Sequence, residues 1–343
     1  MSSQIGRSRA AVLACMVSMV LASSLAGAQT RPLRLVSTAW PPFTNQAGQP
    51  RIALDLVEAA LTRIRQPSET TIVEDGQVTP ALMAGTFDGS AALWKDAERE
   101  RVLLFSEPYL ENRLVLVGRK GADVTATTLA SLAGRRIALV EGYSYGTEVE
   151  SSGPTFVRAK NSEDSLARLL AGTVDYVLMD DLVVQYIADT YAKEAQAKLQ
   201  LGSTPLVTRA LHLAIRRSYP DAQGIIDRFN AQLRGMITDR TYHRLLDVDW
   251  IRADVDGDGK FEYVPESDKA GATEPRRAYS IASSVESAGA AAATSIESTK
   301  PRFYLGGNIY RDWASVPDRY KTKSAGMPPD PSRATASLFR FSW

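Results

Sequence analysis

Two hydrophobic periods recur in the amino-terminal half of this chain, one typical of strands and one typical of helices. Leu33 to Ser37 alternates as a half-buried strand does, and Leu114 to Gly118 forms a continuous apolar strand. Between them, Ile52 to Ile64 places apolar residues at helical spacing, and a second strand is predicted from Thr70 to Glu74. The pattern predicts a first block in which strands and helices alternate.

The same alternation starts again after residue 128. The predicted strands are Arg136 to Val140, Val174 to Met179 and Leu211 to Ile215, and the predicted helices are Ser162 to Leu170, Leu182 to Tyr191 and Asp221 to Ile237. Strands that alternate with helices in two blocks are typical of an α/β protein with two lobes.

The amino terminus is typical of a secretory signal. Arg7 and Arg9 supply the positive charge, an apolar run follows, and Ala26-Gly27-Ala28 is a cleavage site of the A-x-A type. The run is too short to span a bilayer. Cys15, the one cysteine, follows Val12-Leu13-Ala14, so cleavage and lipidation at Cys15 is an alternative.

Charge excludes one class of partner. Removing Arg7 and Arg9 from 40 basic residues leaves 38, against 39 acidic residues, so the mature chain is close to neutral. The absence of a Lys/Arg block argues against nucleic acid as a partner. Cleavage after Ala28 would also leave no cysteine for a disulfide. The sequence therefore predicts a secreted, periplasmic protein.

The stretch from Leu82 to Tyr109 carries the most specific motif. It runs from an apolar helix end through an acidic-basic segment to Phe105-Ser106-Glu107-Pro108-Tyr109. It resembles the cleft-forming stretch of the bacterial extracellular solute-binding proteins that capture polar amino acids. The resemblance implies that Arg99, six residues before Phe105, binds a ligand carboxylate through its planar guanidinium. The alternative is that Arg99 is one charge of a solvated face.

The order of elements from Leu33 to Trp250 resembles the same family. It implies an α/β, two-lobe periplasmic binding protein fold of type II, with two chain crossings and a ligand cleft between the lobes that closes by hinge motion. The crossings are expected near Gly118-Gly121 and Pro205-Arg209. The expected division is a signal peptide (1–28), the first part of lobe 1 (31–118), lobe 2 (119–206), a return to lobe 1 (207–250), a calcium-type loop (251–266), and a low-complexity linker and tail (267–343).

The resemblance also implies roles in the second lobe. Ser144, in Gly142-Tyr143-Ser144, would donate to the ligand carboxylate, and Asp180, at the end of a strand, would accept from its ammonium group. A strand-end cap is the alternative for Asp180. The full predicted ligand-binding set is Trp40, Phe43, Trp94, Arg99, Tyr143, Ser144 and Asp180.

Two residues depart from the family pattern. Asp96 replaces a usual threonine and is able to pair with Arg99, in competition with a ligand carboxylate. Trp94 replaces a small hydroxyl residue and would fill the cleft or stack on a flat solute. The expected function is capture of a small polar solute, an amino acid or related carboxylate or amine, for an ABC-type permease in the inner membrane. The alternatives are a sensory module and a dehydratase-type enzyme with Glu141 or Asp96 as its acid; no catalytic residue is assigned.

A second motif lies after the α/β region. Asp254, Asp256, Asp258 and Glu262 present side-chain oxygens, and Lys260 offers its backbone carbonyl, around a turn that contains a glycine. Calcium prefers such oxygen ligands. The loop resembles those of EF-hand and dockerin repeats, which predicts a structural Ca²⁺ ion. An acidic turn without a metal is the alternative.

The rest of the chain changes in composition. Ala270 to Thr299 is rich in Ala, Ser and Thr, and Pro301 to Trp343 has scattered aromatic residues. We expect a tail that docks on an unknown partner. Of the two histidines, His212 is expected to be packed within a strand and His243 to lie at the surface.

Overall fold

The computed structural model describes residues 31–269, 271–275, 278–281 and 301–322. The expected signal peptide, Cys15 and residues 323–343 lie outside these ranges. Among the helices in them, none combines the length and the apolar character that a membrane span requires.

The described strands are short, except for two that have ten residues each. They are β1 (Leu33–Thr38), β2 (Ser68–Val73), β3 (Gly89–Trp94), β4 (Leu103–Phe105), β5 (Leu110–Arg119), β6 (Arg136–Val140), β7 (Thr155–Ala159), β8 (Tyr176–Asp180), β9 (Leu199–Leu201), β10 (Val207–Arg216), β11 (Trp250–Ala253), β12 (Glu262–Pro265), β13 (Tyr279–Ser280), β14 (Arg302–Leu305) and β15 (Asn308–Tyr310).

The α-helices in the described ranges flank these strands. They are α1 (Ile52–Arg63), α2 (Val78–Met83), α3 (Thr147–Glu150), α4 (Ser162–Leu170), α5 (Asp181–Thr190), α6 (Ala192–Lys198), α7 (Ala222–Thr238) and α8 (Thr241–Leu246). Short 3-10 helices span Arg99–Arg101 and Ala130–Leu132. The two-lobe α/β fold predicted from the alternation of periods is therefore confirmed.

One sheet runs through both lobes in the order β2-β1-β3-β10-β5-β8-β6-β7. β1, β2 and β3 are parallel, as are β6, β7 and β8, so each group ends at one edge of the sheet. Strands of this type are buried on both faces, which explains the continuous apolar run of β6.

The two long strands, β5 and β10, join the lobes. Leu110 to Leu114 of β5 pairs with β10, and Leu114 to Gly118 then pairs with β8. The change of partner at Leu114 falls earlier than the crossing expected near Gly118-Gly121. The reason is that Gly121, which has a positive φ of 82°, belongs to a turn beyond the strand rather than to the hinge.

A second sheet, β13-β11-β12-β14-β15, follows the two lobes. β14 pairs in parallel with β12, so Arg302 lies opposite Glu262. The rings of Trp313 and Tyr263 lie 5.2 and 5.5 Å from that of Phe303, which is 1% exposed. The expectation that 267–343 is only a linker and tail is therefore wrong for residues 301–322. Their aromatic residues complete a core that no local pattern shows.

His243 was expected at the surface but is buried. It is 3% exposed, and its Nε2 lies 2.9 Å from the carbonyl oxygen of Val264 in β12. Burial lowers the pKa of His243 to about 4. The ring is therefore neutral at pH 7 and joins α8 to the second sheet.

The second sheet also contacts the hinge. The Tyr279 hydroxyl donates to the carbonyl oxygen of Glu111 in β5, at 3.0 Å. Burial raises the pKa of the Glu111 side chain from 4.5 to about 7, and Arg113 and Arg252 offset this only in part. A carboxyl group at this joint is therefore easier to bury in its protonated form.

Glu111→Gln should remove part of the pH dependence of stability. The folded-state pKa of Glu111 is raised, so the folded protein binds this proton more tightly than the unfolded chain does. The resulting stabilisation is fully present below about pH 4.5 and is lost as the pH rises through about 7. We expect the glutamine variant to gain about 1 to 3 kcal/mol of unfolding free energy over wild type at pH 8 and to match it near pH 4.5. Urea denaturation at both pH values measures this, with exposed Glu69→Gln as the control. An equal effect at both pH values would contradict it.

Candidate functional site

A cavity of about 60 Å³ lies between the lobes, near the carboxyl ends of β1, β3 and β6. Trp40, Trp94 and Arg99 line it from the first lobe, and Tyr143 and Ser144 line it from the second. One buried water needs roughly 10–15 Å³ of cavity volume measured in the same way. The cleft in this closed geometry therefore has room for a few waters or for a small group of a solute.

Arg99 borders the cavity but is only 5% exposed. Its Nη1 donates to the carbonyl oxygen of Trp94 at 2.8 Å, and its Nη2 donates to Thr79 Oγ1 at 2.8 Å and to the carbonyl oxygen of Gly142 at 3.2 Å. The last bond reaches the second lobe. Burial lowers the pKa of Arg99, and the nearby carboxylates of Asp96 and Glu98 offset part of that decrease.

Asp96 engages the two residues that were expected to bind a ligand carboxylate. Its Oδ2 lies 3.3 Å from Arg99 Nε and accepts a hydrogen bond from the Ser144 hydroxyl. Its Oδ1 accepts from the Arg99 backbone N–H at 2.8 Å. The Asp96–Arg99 pair that the sequence suggests is thus present, and the bond to Ser144 also links the lobes.

Four aromatic rings fill the cleft beside these polar groups. The Trp40 ring lies 6.0 Å from Trp94 and 5.7 Å from Tyr143. The Trp94 ring lies 5.5 Å from Tyr143 and 5.4 Å from Tyr145. All four contacts are edge-to-face, which is favourable for aromatic pairs. Tyr145 was not among the predicted residues, although it lies two positions after Tyr143, as a second ring on one face of an extended segment would.

Phe43 does not line the cavity. It is fully buried, and its ring lies 4.5 Å from that of Trp40. Phe43 therefore supports the Trp40 ring from behind, and its predicted contact with a ligand does not match this geometry.

Asp180 also lies away from the cavity, at 2% exposure. Its Oδ1 accepts from the N–H of Leu182 at 2.8 Å, and its Oδ2 accepts from the N–H of Arg113 at 3.0 Å. It therefore caps α5, as the alternative held. Asp180 is not among the residues that line the cavity; the Asn112 side chain contacts it and accepts from the Trp94 indole at 2.7 Å. The assignment of Asp180 as an acceptor for a ligand ammonium does not match this arrangement.

Asp75 was missed by sequence reasoning. Its Oδ1 is buried and has no hydrogen-bond partner among the described residues. Burial raises the pKa of Asp75 to about 6, the neighbouring Thr38 hydroxyl lowers it in part, and Glu163 of the second lobe raises it further. Asp75 does not itself line the cavity, but it contacts Thr38, precedes Gly76 and acts electrostatically on Tyr143, and all three of these residues line it. The one signal in the sequence was an acidic turn directly after β2.

Glu141, a candidate acid in the enzyme alternative, is exposed to solvent. It therefore lacks the desolvated surroundings that favour general acid catalysis.

The acidic loop after β11 is ordered by its first aspartate. Asp254 accepts from the N–H groups of Gly257 at 2.7 Å and Gly259 at 2.9 Å. One carboxylate oxygen from each of Asp254, Asp256 and Glu262 lies within 4.8 Å of the other two. A set made only of oxygen donors fits Ca²⁺.

Arg302 lies against the same carboxylates. Its guanidinium is 3.0 Å from Glu262 Oε1 and 3.0 Å from Asp258 Oδ2. Lys260 Nζ also pairs with Asp258, at 3.0 Å. These two cations offset only part of the charge of the four carboxylates, and a metal would have to share its ligands with Arg302.

Residues 34–252 match the bacterial extracellular solute-binding proteins, family 3. The ABC transporter arginine-binding protein 1 of Escherichia coli (strain K12) is 24% identical over 218 residues, which cover 62% of this chain and 87% of that protein. The virulence sensor protein BvgS of Bordetella pertussis (strain Tohama I) is 27% identical over 150 residues, 43% of this chain and 12% of the sensor.

Among solved structures, the GluR0 ligand-binding core from Nostoc punctiforme in complex with L-glutamate superposes with a TM-score of 0.53. It is 22% identical and covers 63% of this chain and 98% of its own, which shows a shared fold. The family match spans well over half of the chain and includes both lobes and both crossing strands. This chain therefore belongs to the bacterial extracellular solute-binding proteins, family 3.

Proposed function

We propose that this protein captures a small polar solute, an amino acid or a related carboxylate or amine, in the periplasm and delivers it to an ABC-type uptake system. The observation that carries the proposal is the cavity walled by both lobes, with Trp40 and Trp94 on one side and Tyr143 and Ser144 on the other. A solute that contacts both walls binds the closed state more tightly than the open one and so favours closure.

The relatives support this function. The similar protein from Escherichia coli is named as an ABC transporter arginine-binding protein, and it shares most of its length with this chain. The family and these relatives are binding proteins, so we propose binding rather than catalysis.

Tryptophan fluorescence tests the binding function, because Trp40 and Trp94 line the cavity. We expect one class in a panel of amino acids, small carboxylates and amines to change the emission in a saturable way. Trp250 and Trp313 contact each other in the second sheet, so a variant with phenylalanine at both positions should keep the response. No saturable change with any solute up to millimolar concentration would count against the proposal.

A sensory role is the second candidate. The bonds from Arg99 to Gly142 and from Ser144 to Asp96 join the two lobes directly, and part of the chain is similar to a virulence sensor. Uptake of the bound solute into spheroplasts separates the two functions. Uptake that depends on added purified protein supports transport, whereas uptake that does not depend on it supports the sensor.

We also propose that the acidic loop binds a structural Ca²⁺ ion. Asp254, Asp256 and Glu262 would hold it, with Asp258 and the Lys260 carbonyl group nearby in the motif. The ion would supply positive charge to a loop whose carboxylates otherwise repel one another, and Arg302 would give up part of its contacts.

Calcium should therefore raise the melting temperature by several degrees over that in a chelator. At about 100 times the dissociation constant, the gain is about 2.7 kcal/mol. Differential scanning fluorimetry of wild type and Asp254→Asn measures this, and the variant should show no response. Asp227→Asn, on the exposed face of α7, should respond as wild type does. Equal melting temperatures of wild type in calcium and in chelator would rule out the metal.

A further inference from the structure

The cleft already holds a carboxylate of its own. Asp96 receives the Ser144 hydroxyl from the second lobe and lies 3.3 Å from Arg99 Nε in the first. The other Arg99 nitrogens donate to Trp94, Thr79 and Gly142. Both terminal nitrogens of this guanidinium thus donate to atoms of the protein, whereas its buried Nε pairs with Asp96 by charge and makes no hydrogen bond with the described residues.

A solute carboxylate would meet this arrangement at a disadvantage. Arg99 is the one cation among the residues that line the described cavity. A second carboxylate beside Asp96 would be repelled, since two like charges in one site raise the free energy of both ionised forms. It would also have to displace the hydrogen bonds that this nearly buried guanidinium makes to Trp94, Thr79 and Gly142, and a buried polar group left without a partner is costly.

The rest of the cavity suits a positive charge. Arg99 and Asp96 balance each other, which leaves the Asp75 carboxyl group, whose neighbours Thr38 and Gly76 line the cavity. Glu163 of the second lobe is near enough to Asp75 to raise its pKa further. Asp75 Oδ1 is buried with no hydrogen-bond partner in the described part of the chain. The faces of Trp40 and Tyr143 are the kind of surface that attracts ammonium and guanidinium groups.

We propose that Asp96 takes the place of a ligand carboxylate and that the cleft selects an organic amine or guanidinium cation that has no α-carboxylate. The inference rests on the proposed binding function and names its solute class. Asp96 sets the specificity by filling the carboxylate position, and Asp75 with the aromatic walls holds the cation.

Matched pairs of solutes that differ only in the α-carboxylate test this selection. The probes are arginine and agmatine, lysine and cadaverine, and ornithine and putrescine, titrated into the full chain by calorimetry. Wild type should bind the decarboxylated member of at least one pair tenfold or more tightly than the amino acid. Asp96→Asn, which keeps the side-chain shape, should reverse that preference, and so should Asp96→Thr. Exposed Glu98→Gln is the matched control and should keep it. Asp75→Asn should weaken binding of the cation at least tenfold.

The results distinguish failure of the proposed selection for amines from failure of the proposed binding function. If wild type binds the amino acid as tightly as the amine, the selection is overturned while the binding function stands. A preference for the amine that survives both Asp96 variants would remove Asp96 as its cause. Equal affinity of wild type and Asp75→Asn for the amine would exclude Asp75 as the cation acceptor. If neither these pairs nor any solute of the fluorescence panel binds, the binding function itself fails.

Discussion

Arg99→Ala should abolish detectable solute binding, because the lobes lose their bond through Gly142, and should lower the free energy of unfolding by about 3 to 5 kcal/mol. The guanidinium is 5% exposed, pairs with Asp96 and bonds to Gly142 across the cleft. Its removal leaves the Asp96 carboxylate without its cation, and breaking a buried pair from one side costs about that much. Denaturation in guanidinium chloride measures the change in stability, and calorimetric titration of the same preparations measures binding.

Arg101→Ala is the control for this variant, because Arg101 belongs to the same 3-10 helix but is exposed. It should change stability by less than about 0.5 kcal/mol. A stable Arg99→Ala protein with wild-type affinity would show that Arg99 neither holds the lobes together nor shapes the site.

Trp94→Ser should cost about 3 to 5 kcal/mol of stability and widen the range of solutes that bind. The indole is 5% exposed, contacts the rings of Trp40, Tyr143 and Tyr145, and donates to Asn112. Truncation of a buried tryptophan leaves a cavity, and its cost is in this range. The enlarged cleft should accept bulkier solutes in the fluorescence panel.

Trp94→Phe separates the ring from its hydrogen bond. It keeps an aromatic wall, loses the bond to Asn112 and leaves a smaller cavity than serine does, so we expect a loss of about 1 to 3 kcal/mol and an unchanged solute range. A serine variant that is as stable as wild type and equally selective would contradict the assignment of Trp94 as the residue that fills the cleft.

The two lobes were predictable because their signal is local. β1 and α1 each show their period within a dozen residues, and β6 and β8 of the second lobe are nearly continuous apolar runs. The second sheet gave no such signal. Its strands have two to four residues, and the pairing of Glu262 with Arg302 joins positions 40 apart in the sequence.

The sequence identified several residues of the site, but it did not show which hydrogen bonds and ion pairs they form. Arg99 and Ser144 do line one cavity, yet both also contact Asp96, which occupies the place expected for a ligand carboxylate. An aspartate at a strand end is equally consistent with a ligand contact and with a helix cap, and only the position of Trp94 and Asn112 decides for Asp180. Asp75 resembles any acidic turn until its burial is known.

A thermal-shift screen of the mature protein against amino acids, small carboxylates and amines tests the central claim most directly. A solute that binds in the cleft at about 100 times its dissociation constant adds about 2.7 kcal/mol of stability. We predict a rise of several degrees with one chemical class, and none with the same class on Arg99→Ala. No shift with any solute, with or without calcium, would contradict a solute-binding cleft.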